Sequence, residues 1–412
     1  MEKFDLGIIG AGPAGYTAAF HASAKGLSVV IFEKDEIGGV CLNRGCIPTK
    51  TILHSSEIYN EMLNSSALGV TAENIHLDYT KVIENKNNVV EKLRKGIELG
   101  FKNSKIKVVK AAAEILDAGT IRAAGEIYEC GKIIAATGAE PRELKGLEFD
   151  HKFILNSDDI LNLEKLPRSI LIIGSGAIGI EWARIFSNFG VDVTLTEFAE
   201  HLLPAADIEI SKRVERIFKT KKIKFSTETT VEKIDKGIVT LTNGEQISPE
   251  KILVAAGRKP VTTEKIYGVN YIGDVCGSIQ LAHFAIKQAI ETVDGVKFDK
   301  TLVPSVVYGT PEIAWVGLRE QDLEEGTYRK VNLLVSALGK SHCDNMTDGV
   351  IKLLTRDGKI LGAHIISKEA SSLIQQILIA IQNNITIDML KEVCFAHPTY
   401  SEGIFESLWR IS

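Results

Sequence analysis

Short, continuous apolar runs alternate with amphipathic stretches along the first two thirds of the chain. Leu6-Gly7-Ile8-Ile9 predicts a strand buried on both faces, as in a parallel sheet. An Ala-rich helix over about Ala14–Lys25 follows, then a strand, Ser28-Val29-Val30-Ile31-Phe32, that ends at Glu33. Helices are predicted over about Thr51–Met62 and Tyr79–Leu99. Strands are predicted at Ile106–Val109, Thr120–Ala123 and Ile127–Glu129, and at Ile133–Ala136, which runs into a tight turn at Thr137-Gly138. Pro141 and the polar run Asn156-Ser157-Asp158-Asp159 mark a domain crossing.

Then the opening pattern repeats. Ile170–Ile173 is a strand, a helix runs through Glu181 to Phe189, and Val191–Thr196 is a strand ending at Glu197. Gly10, Gly12, Gly15 and Glu33 each recur 164 positions later, as Gly174, Gly176, Gly179 and Glu197. Beyond the repeat, Ile223–Ile247 predicts short strands with turns at Lys236-Gly237 and Asn243-Gly244. Ile252–Gly257 is a buried strand with a Gly turn, Tyr271-Ile272-Gly273-Asp274 a second, and Leu281–Val293 a helix. The last third reads differently, with antiparallel strands in Thr301–Val316 and Val350–Ile366. A helix over Ala370–Asn383 carries apolar residues at 373, 374, 377, 378 and 381. That stripe needs a partner surface, and the domain's own sheet is favoured over another subunit.

Composition narrows the class. The chain has 412 residues, 45% of them hydrophobic and 25% charged, which suits a soluble protein of several domains. Its net charge of −5 argues against a nucleic-acid binder. No run of apolar residues is long enough to span a membrane. Met1-Glu2-Lys3-Phe4-Asp5 lacks the order of regions of a secretory leader, so a cytoplasmic location is expected. Six cysteines are too few and too scattered for a disulfide scaffold.

The repeat has a chemical meaning. Glycines between strand and helix let the backbone approach a pyrophosphate, which the free N–H groups and dipole of the helix N-terminus favour. The acid at the end of the second strand accepts hydrogen bonds from a ribose diol. Two such units imply two dinucleotides. Phe198, Ala199, Glu200 and His201 beside Glu197 supply no Arg or Lys, and an acid there repels a 2′-phosphate, so NAD is favoured over NADP.

Cys41 and Cys46 stand five positions apart. On a regular helix their Cα atoms would be roughly 8–9 Å apart, whereas a disulfide wants about 4.4–6.8 Å. Bonding would need an irregular backbone, which Asn43 and Gly45 permit. The pair reads either as redox or metal chemistry or as two unrelated small buried residues. Pro398 biases His397 away from helical geometry, and Glu402 is near enough to orient its ring as a proton acceptor. A surface His–Pro turn is the plainer alternative. His54, alone on its helix, is assigned nothing.

With these residues laid out, the chain resembles the pyridine nucleotide–disulfide oxidoreductases along nearly its whole length. Gly39-Val40-Cys41-Leu42-Asn43-Arg44-Gly45-Cys46-Ile47-Pro48-Thr49-Lys50 and His397-Pro398-Thr399-Tyr400-Ser401-Glu402 are similar to the redox and acid–base motifs of the members that oxidise dihydrolipoyl groups. The resemblance implies an α/β fold with two Rossmann-like dinucleotide-binding domains and a C-terminal α+β dimerisation domain. Its expected bounds are 1–145 for the FAD domain, 146–265 for the NAD domain, 266–300 for a return to the FAD domain and 301–412 for the interface. It implies FAD on the first fingerprint with Glu33 on its ribose, Asp274 on the ribityl chain, Ala282 near the ring, and contacts from Ala111, Thr137 and Gly138. Lys50 would sit by the flavin and pair with Glu181. NAD would lie on Gly174–Glu181 and Glu197, with Val231 and Gly257 on the adenosine side. Cys41 would exchange with the substrate across a Cys41–Cys46 disulfide, and Cys46 would face the flavin. His397, held by Glu402, would serve the partner subunit's site, so the unit is a homodimer. The lipoyl group would arrive on a separate lipoyl-bearing acyltransferase or glycine-cleavage carrier protein.

The chain departs from the pattern in two places. Lys259–Asn270 is contracted, and Ala111 stands where a Gly is common. Three readings compete with dihydrolipoyl oxidation: an NAD(P)H-dependent reductase of another disulfide, a flavoprotein scaffold without dithiol turnover, and a zinc site at the cysteine pair. Basic residues after Glu197 and a terminal cysteine pair would have favoured sister reductases, but neither is present; the chain ends Trp409-Arg410-Ile411-Ser412.

Overall fold

A computed structural model describes residues 2–261 and 265–411. Part of the contracted Lys259–Asn270 segment (262–264) and the two terminal residues lie outside the described residues. The first sheet places parallel strands Lys107–Val109, Val29–Phe32, Glu2–Ile9 and Glu126–Ala135 side by side. Glu126–Ala135 is one long strand where the sequence suggested two. Its residues 126–129 pair antiparallel with Thr120–Ala123, and its residues 128–135 run parallel beside Glu2–Ile9. The hairpin partner Ala113–Asp117 has no clear alternation and was not anticipated. Asn270–Tyr271 returns to the same sheet. Helix α1, Pro13–Ala24, packs its small residues Ala14, Ala18, Ala19 and Ala22 against this sheet.

The redox stretch forms two helices, α2 (Gly39–Arg44) and α3 (Cys46–Asn64). Helix α3 starts five residues before the expected Thr51, because Pro48 lies in its first turn, where no intrahelical donor is missed. Helix α4, Tyr79–Asn103, lies against α3.

The second sheet is parallel throughout: Lys224–Ser226, Asp192–Thr196, Ser169–Ile173, Lys251–Val254 and Ile154–Leu155, in that order. Helix α5, Ala177–Asn188, follows its fingerprint, and α6, Ile208–Thr220, covers it further along. The sequence reading missed α6, whose apolar stripe Ile210, Val214 and Phe218 is thin among charges. Ala139–Pro141 and Arg258–Pro260 pair antiparallel where the chain enters and leaves this unit.

The C-terminal unit is a five-stranded antiparallel sheet, ordered Ser305–Val307, Glu312–Gly317, Lys359–Ser367, Val350–Arg356 and Arg329–Leu334. Helix Ala370–Gln382 lays Leu373, Ile374 and Ile377 on that sheet, while Ile379 stays exposed. The largest apolar cluster crosses all three units. It joins Ile52 and Leu53 of α3, Trp182 and Phe186 of α5, and Val307, Ile313 and Ile366 of the C-terminal sheet. The redox helix is therefore clamped against the second fingerprint helix.

Candidate active site

Each parallel sheet ends in a left-handed glycine. Gly10 has φ +97° and Gly174 φ +99°. A Cβ at Gly174 would lie 2.7 Å from the Ala255 carbonyl oxygen, and one at Gly10 would strike that of Ala136. Only glycine makes this turn from strand to helix here. Gly12 and Gly176 then stand as the N-caps of α1 and α5, with no side chain capping either helix. A Cβ at Gly176 would meet nothing within 4 Å, and one at Gly12 only the Gly39 Cα at 3.7 Å. Gly15 and Gly179 pack against the carbonyls of Gly10 and Gly174. Both helices thus present uncapped N–H groups to open space, which fits a pyrophosphate at each.

The two acids close these turns alike. Glu33 accepts hydrogen bonds from Ala11 N at 2.7 Å and Asp35 N at 2.9 Å. Glu197 accepts from Ser175 N at 2.8 Å and Ala199 N at 2.9 Å. Ser175 Oγ adds a third bond to Glu197 at 2.6 Å. The backbone donors, like the acids, are displaced by 164 positions.

The irregular backbone between the cysteines is at Gly45, with φ −146° and ψ −112°. A Cβ there would lie 2.9 Å from the Val40 carbonyl oxygen and 3.2 Å from the Cys41 Cα. The break puts Cys41 on α2 and Cys46 at the first position of α3. Asn43 Nδ2 braces the turn by donating to Ile37 O and Gly39 O, each at 3.0 Å. Both cysteines are free thiols, and the Cys41 thiol hydrogen-bonds the Cys46 sulfur. That bond, followed by the Lys50 ammonium, brings the Cys46 thiol down to about 7 against the opposing effect of burial. The same bond and burial push Cys41 up. The pair therefore holds its negative charge on Cys46.

Lys50 lies one turn along α3 from Cys46. Its Nζ donates to both carboxylate oxygens of Glu181 on α5, at 2.9 and 2.6 Å. Glu181 is buried and also accepts from Tyr308 N at 3.0 Å. The Tyr308 ring lies 4.8 Å from Lys50 Nζ. Tyr16, whose phenol burial and then both cysteines push up, and Tyr308, whose phenol burial pushes up against the pull of Lys50, were not singled out from the sequence. No local motif marks them, since each reaches the cysteines only through the fold.

His397 lies on an exposed loop of the C-terminal unit, its side chain 75% exposed. Its Nδ1 is 2.7 Å from Glu402 Oε1, and Thr399 N donates to Glu402 Oε2 at 2.8 Å. These bonds hold the Glu402 carboxyl below its usual range, the His397 contact first. Among the described residues, no hydrogen bond or ion pair joins this dyad to the cysteines.

The other singled-out residues are spread. Asp274 is half-buried, and its carboxyl accepts no hydrogen bond among the described residues; burial pushes that carboxyl up against the pull of Arg258. Ala282 opens the helix Ala282–Asp294. Thr137 Oγ1 donates to Val261 O at 2.9 Å, and Gly138 is left-handed beside it. Ala111 follows the strand Lys107–Val109, to whose last carbonyl it donates. Val231 packs into the apolar cluster under the second sheet, and Gly257 turns the chain after Lys251–Val254. Among the described residues, no three His, Cys, Asp or Glu side chains gather as a metal site. No helix among them is long and apolar enough to cross a membrane.

Comparison with known proteins follows the same lines. The family described as pyridine nucleotide-disulphide oxidoreductase matches residues 4–271, and that family's dimerisation domain matches residues 303–408. The dihydrolipoyl dehydrogenase of Bacillus subtilis is 36% identical over 460 residues, covering 98% of this chain and 97% of the relative. Dihydrolipoyl dehydrogenase 1, mitochondrial, of Arabidopsis thaliana is 35% identical over 98% of this chain and 90% of its own. The crystal structure of LpdA from Mycobacterium tuberculosis superposes with a TM-score of 0.91 at 24% identity, over all of both chains. A Cu(II) complex of the HOCl-induced flavoprotein disulfide reductase RclA from Escherichia coli superposes at 0.87 with 26% identity, again over all of both chains.

Proposed function

The chain belongs to the pyridine nucleotide-disulphide oxidoreductase family, and from that premise we propose that it oxidises protein-bound dihydrolipoyl groups to lipoyl with NAD. The observation that carries this reading is the Cys41–Cys46 pair at the break between α2 and α3, with the Lys50–Glu181 ion pair one turn along α3 from Cys46. Relatives at this level of identity that carry the name dihydrolipoyl dehydrogenase support the choice of substrate.

The open helix N-termini at Gly12 and Gly176 fit the pyrophosphates of FAD and NAD, and the unpartnered Asp274 carboxyl fits a ribityl hydroxyl. FAD, when bound, supplies the two-electron link between the dithiol and the nicotinamide. The protein's own part begins with Cys41 and Cys46 joined. His397 Nε2 takes a proton from one dihydrolipoyl thiol, while Glu402 fixes the ring through Nδ1. The new thiolate attacks Cys41 Sγ; the Cys41–Cys46 bond breaks and Cys46 leaves as thiolate. A low thiol pKa makes Cys46 the better leaving group, and Lys50 holds its charge. The second dihydrolipoyl thiol attacks the substrate sulfur bound to Cys41, and its proton passes to the departing Cys41 sulfur, whose thiol is the one pushed up. This releases the cyclic lipoyl disulfide and leaves Cys41 reduced. In sum, two substrate thiols are oxidised, the protein disulfide is reduced, and two protons leave the substrate, one to His397 and one to Cys41.

His397 lies exposed and apart from its own cysteines. That supports a homodimer through residues 303–408 in which each dyad serves the other subunit's cysteine pair. The lipoyl carrier is a separate protein, and the setting is the cytoplasm.

Purified holoenzyme mixed with dihydrolipoamide and NAD should form NADH, with activity lost in C41S and C46S, and should run as a dimer. Failure with dihydrolipoamide, alongside NAD(P)H-driven reduction of another disulfide, would move the protein to the second reading, as a reductase like the RclA neighbour.

A further inference from the structure

We infer that Arg184 is a positioning residue: it grips the turn 308–311 and so holds Glu181 and Lys50 in place beside Cys46. The inference rests on the redox reading above, but its test does not use the substrate.

Arg184 is one turn after Glu181 on α5 and is 2% exposed. Its Nη1 donates to Pro311 O at 2.8 Å and to Tyr308 O at 3.3 Å. Its Nε and Nη2 have no partner among the described residues. A buried guanidinium this poorly satisfied is costly to keep unless its placement does something. Burial lowers it to about 10, while Glu181, Glu57 and Glu312 pull the other way.

What the guanidinium holds is the loop joining Ser305–Val307 to Glu312–Gly317. Gly309 in that loop has φ +134°, and a Cβ there would lie 2.6 Å from Arg184 Nη1. The loop is thus shaped around the guanidinium. Thr310 Oγ1 also donates to Glu57 Oε1 on α3 at 2.6 Å. The residue that opens the loop, Tyr308, donates its N–H to Glu181 and lays its ring by Lys50. One turn of α5 therefore grasps the loop twice, at Tyr308 N through Glu181 and at its carbonyls through Arg184. Without the second grip, Tyr308 N and its ring are free to drift, and Glu181 loses a donor that fixes the carboxylate under Lys50.

The readout is the Cys46 thiolate. The groups facing it are Cys41 from α2, Lys50 from α3, Glu181 from α5, Tyr308 from the loop and Tyr16 from α1. In reduced holoenzyme carrying C41S, whose hydroxyl still donates, the rate of Cys46 alkylation by iodoacetamide is followed against pH. R184M should raise the midpoint by about one pH unit, since an opposite charge at close range is worth about one to three. R184K should restore part of the shift. G309A keeps the Arg184 charge but its Cβ displaces Nη1, so it should raise the midpoint as R184M does. This separates position from charge and covers the case in which R184M does not fold. An unchanged midpoint in G309A and in whichever Arg184 variants fold would overturn the inference, whatever their thermal stability. Because alkylation needs no dihydrolipoyl compound, a failed substrate assay with these shifts intact would overturn only the proposed substrate.

Discussion

Cys41 and Cys46 are the same residue type in the same motif, yet their thiols are driven in opposite directions. The hydrogen bond between them cannot serve both sulfurs as acceptor. The one at the start of α3, one turn from Lys50, keeps the charge. Local spacing could nominate the pair but could not divide the roles, because the bond from the Cys41 thiol and the Lys50 ammonium must outweigh burial and the Glu181 carboxylate, and that balance is set by how α2, α3 and α5 pack. The His397–Glu402 pair is different: its partners are five positions apart and a loop brings them to 2.7 Å. With His397 as base, H397Q should lower kcat by about 10²–10⁴-fold. E402Q, which leaves the imidazole but loosens its orientation, should lower it less. The carboxyl of Glu402 lies below its usual range through His397, so the orienting charge is present above the ordinary carboxylate value and is lost as pH falls through the lowered one. The acid limb of kcat should therefore move in E402Q. Steady-state NADH formation across pH checks both variants, and equal kcat in wild type and H397Q would remove the base from the mechanism.

At the scale of elements, apolar runs bounded by glycine were legible wherever burial is on both faces. That is why both parallel sheets, and the repeat at 164, could be read from the chain. Helix α6 and the strand Arg329–Leu334 were not read, since each is charged on its open face and owes its place to tertiary contact. The break between α2 and α3 was foreseen only as a need for irregular backbone near Asn43 and Gly45. Its cause is contact: no Cβ fits at Gly45 between Val40 O and Cys41 Cα. G45A should therefore destabilise the protein by about 1–3 kcal/mol, the usual effect of forcing an atom into a packed site. It should also slow closure of the Cys41–Cys46 disulfide. Denaturant unfolding and thiol quantitation after oxidation read these two effects, and a stable G45A with wild-type closure would show that the helix break does not depend on this glycine.

At the scale of the whole molecule, the units are held together by charge as well as by the shared apolar cluster. Lys352, fully buried in the C-terminal sheet, donates to Asp207 at the start of α6 at 2.7 Å and to Glu320 at 2.5 Å. K352M should cost about 3–5 kcal/mol, because it leaves the buried Asp207 carboxylate without its cation. For Glu320, burial works to raise the carboxyl, but hydrogen bonds from Lys330, Lys352 and Tyr328 win and bring it down to about 2. Its stabilisation is thus present above its ordinary value of 4.5 and fades as pH falls toward about 2. The deficit of K352M should shrink over that window in denaturant unfolding, and a deficit constant with pH would exclude this network as its source. The sequence by itself determined the two nucleotide folds, their acids, the cysteine pair and the His–Glu dyad, since each is set by residues close along the chain or by periodic burial. Only the tertiary structure decided which cysteine carries charge, that Tyr308 and Arg184 attend Lys50 and Glu181, and that Lys352 ties α6 to the C-terminal sheet. Those outcomes depend on desolvation and on distances between residues far apart in the chain, which exist only once the three units pack.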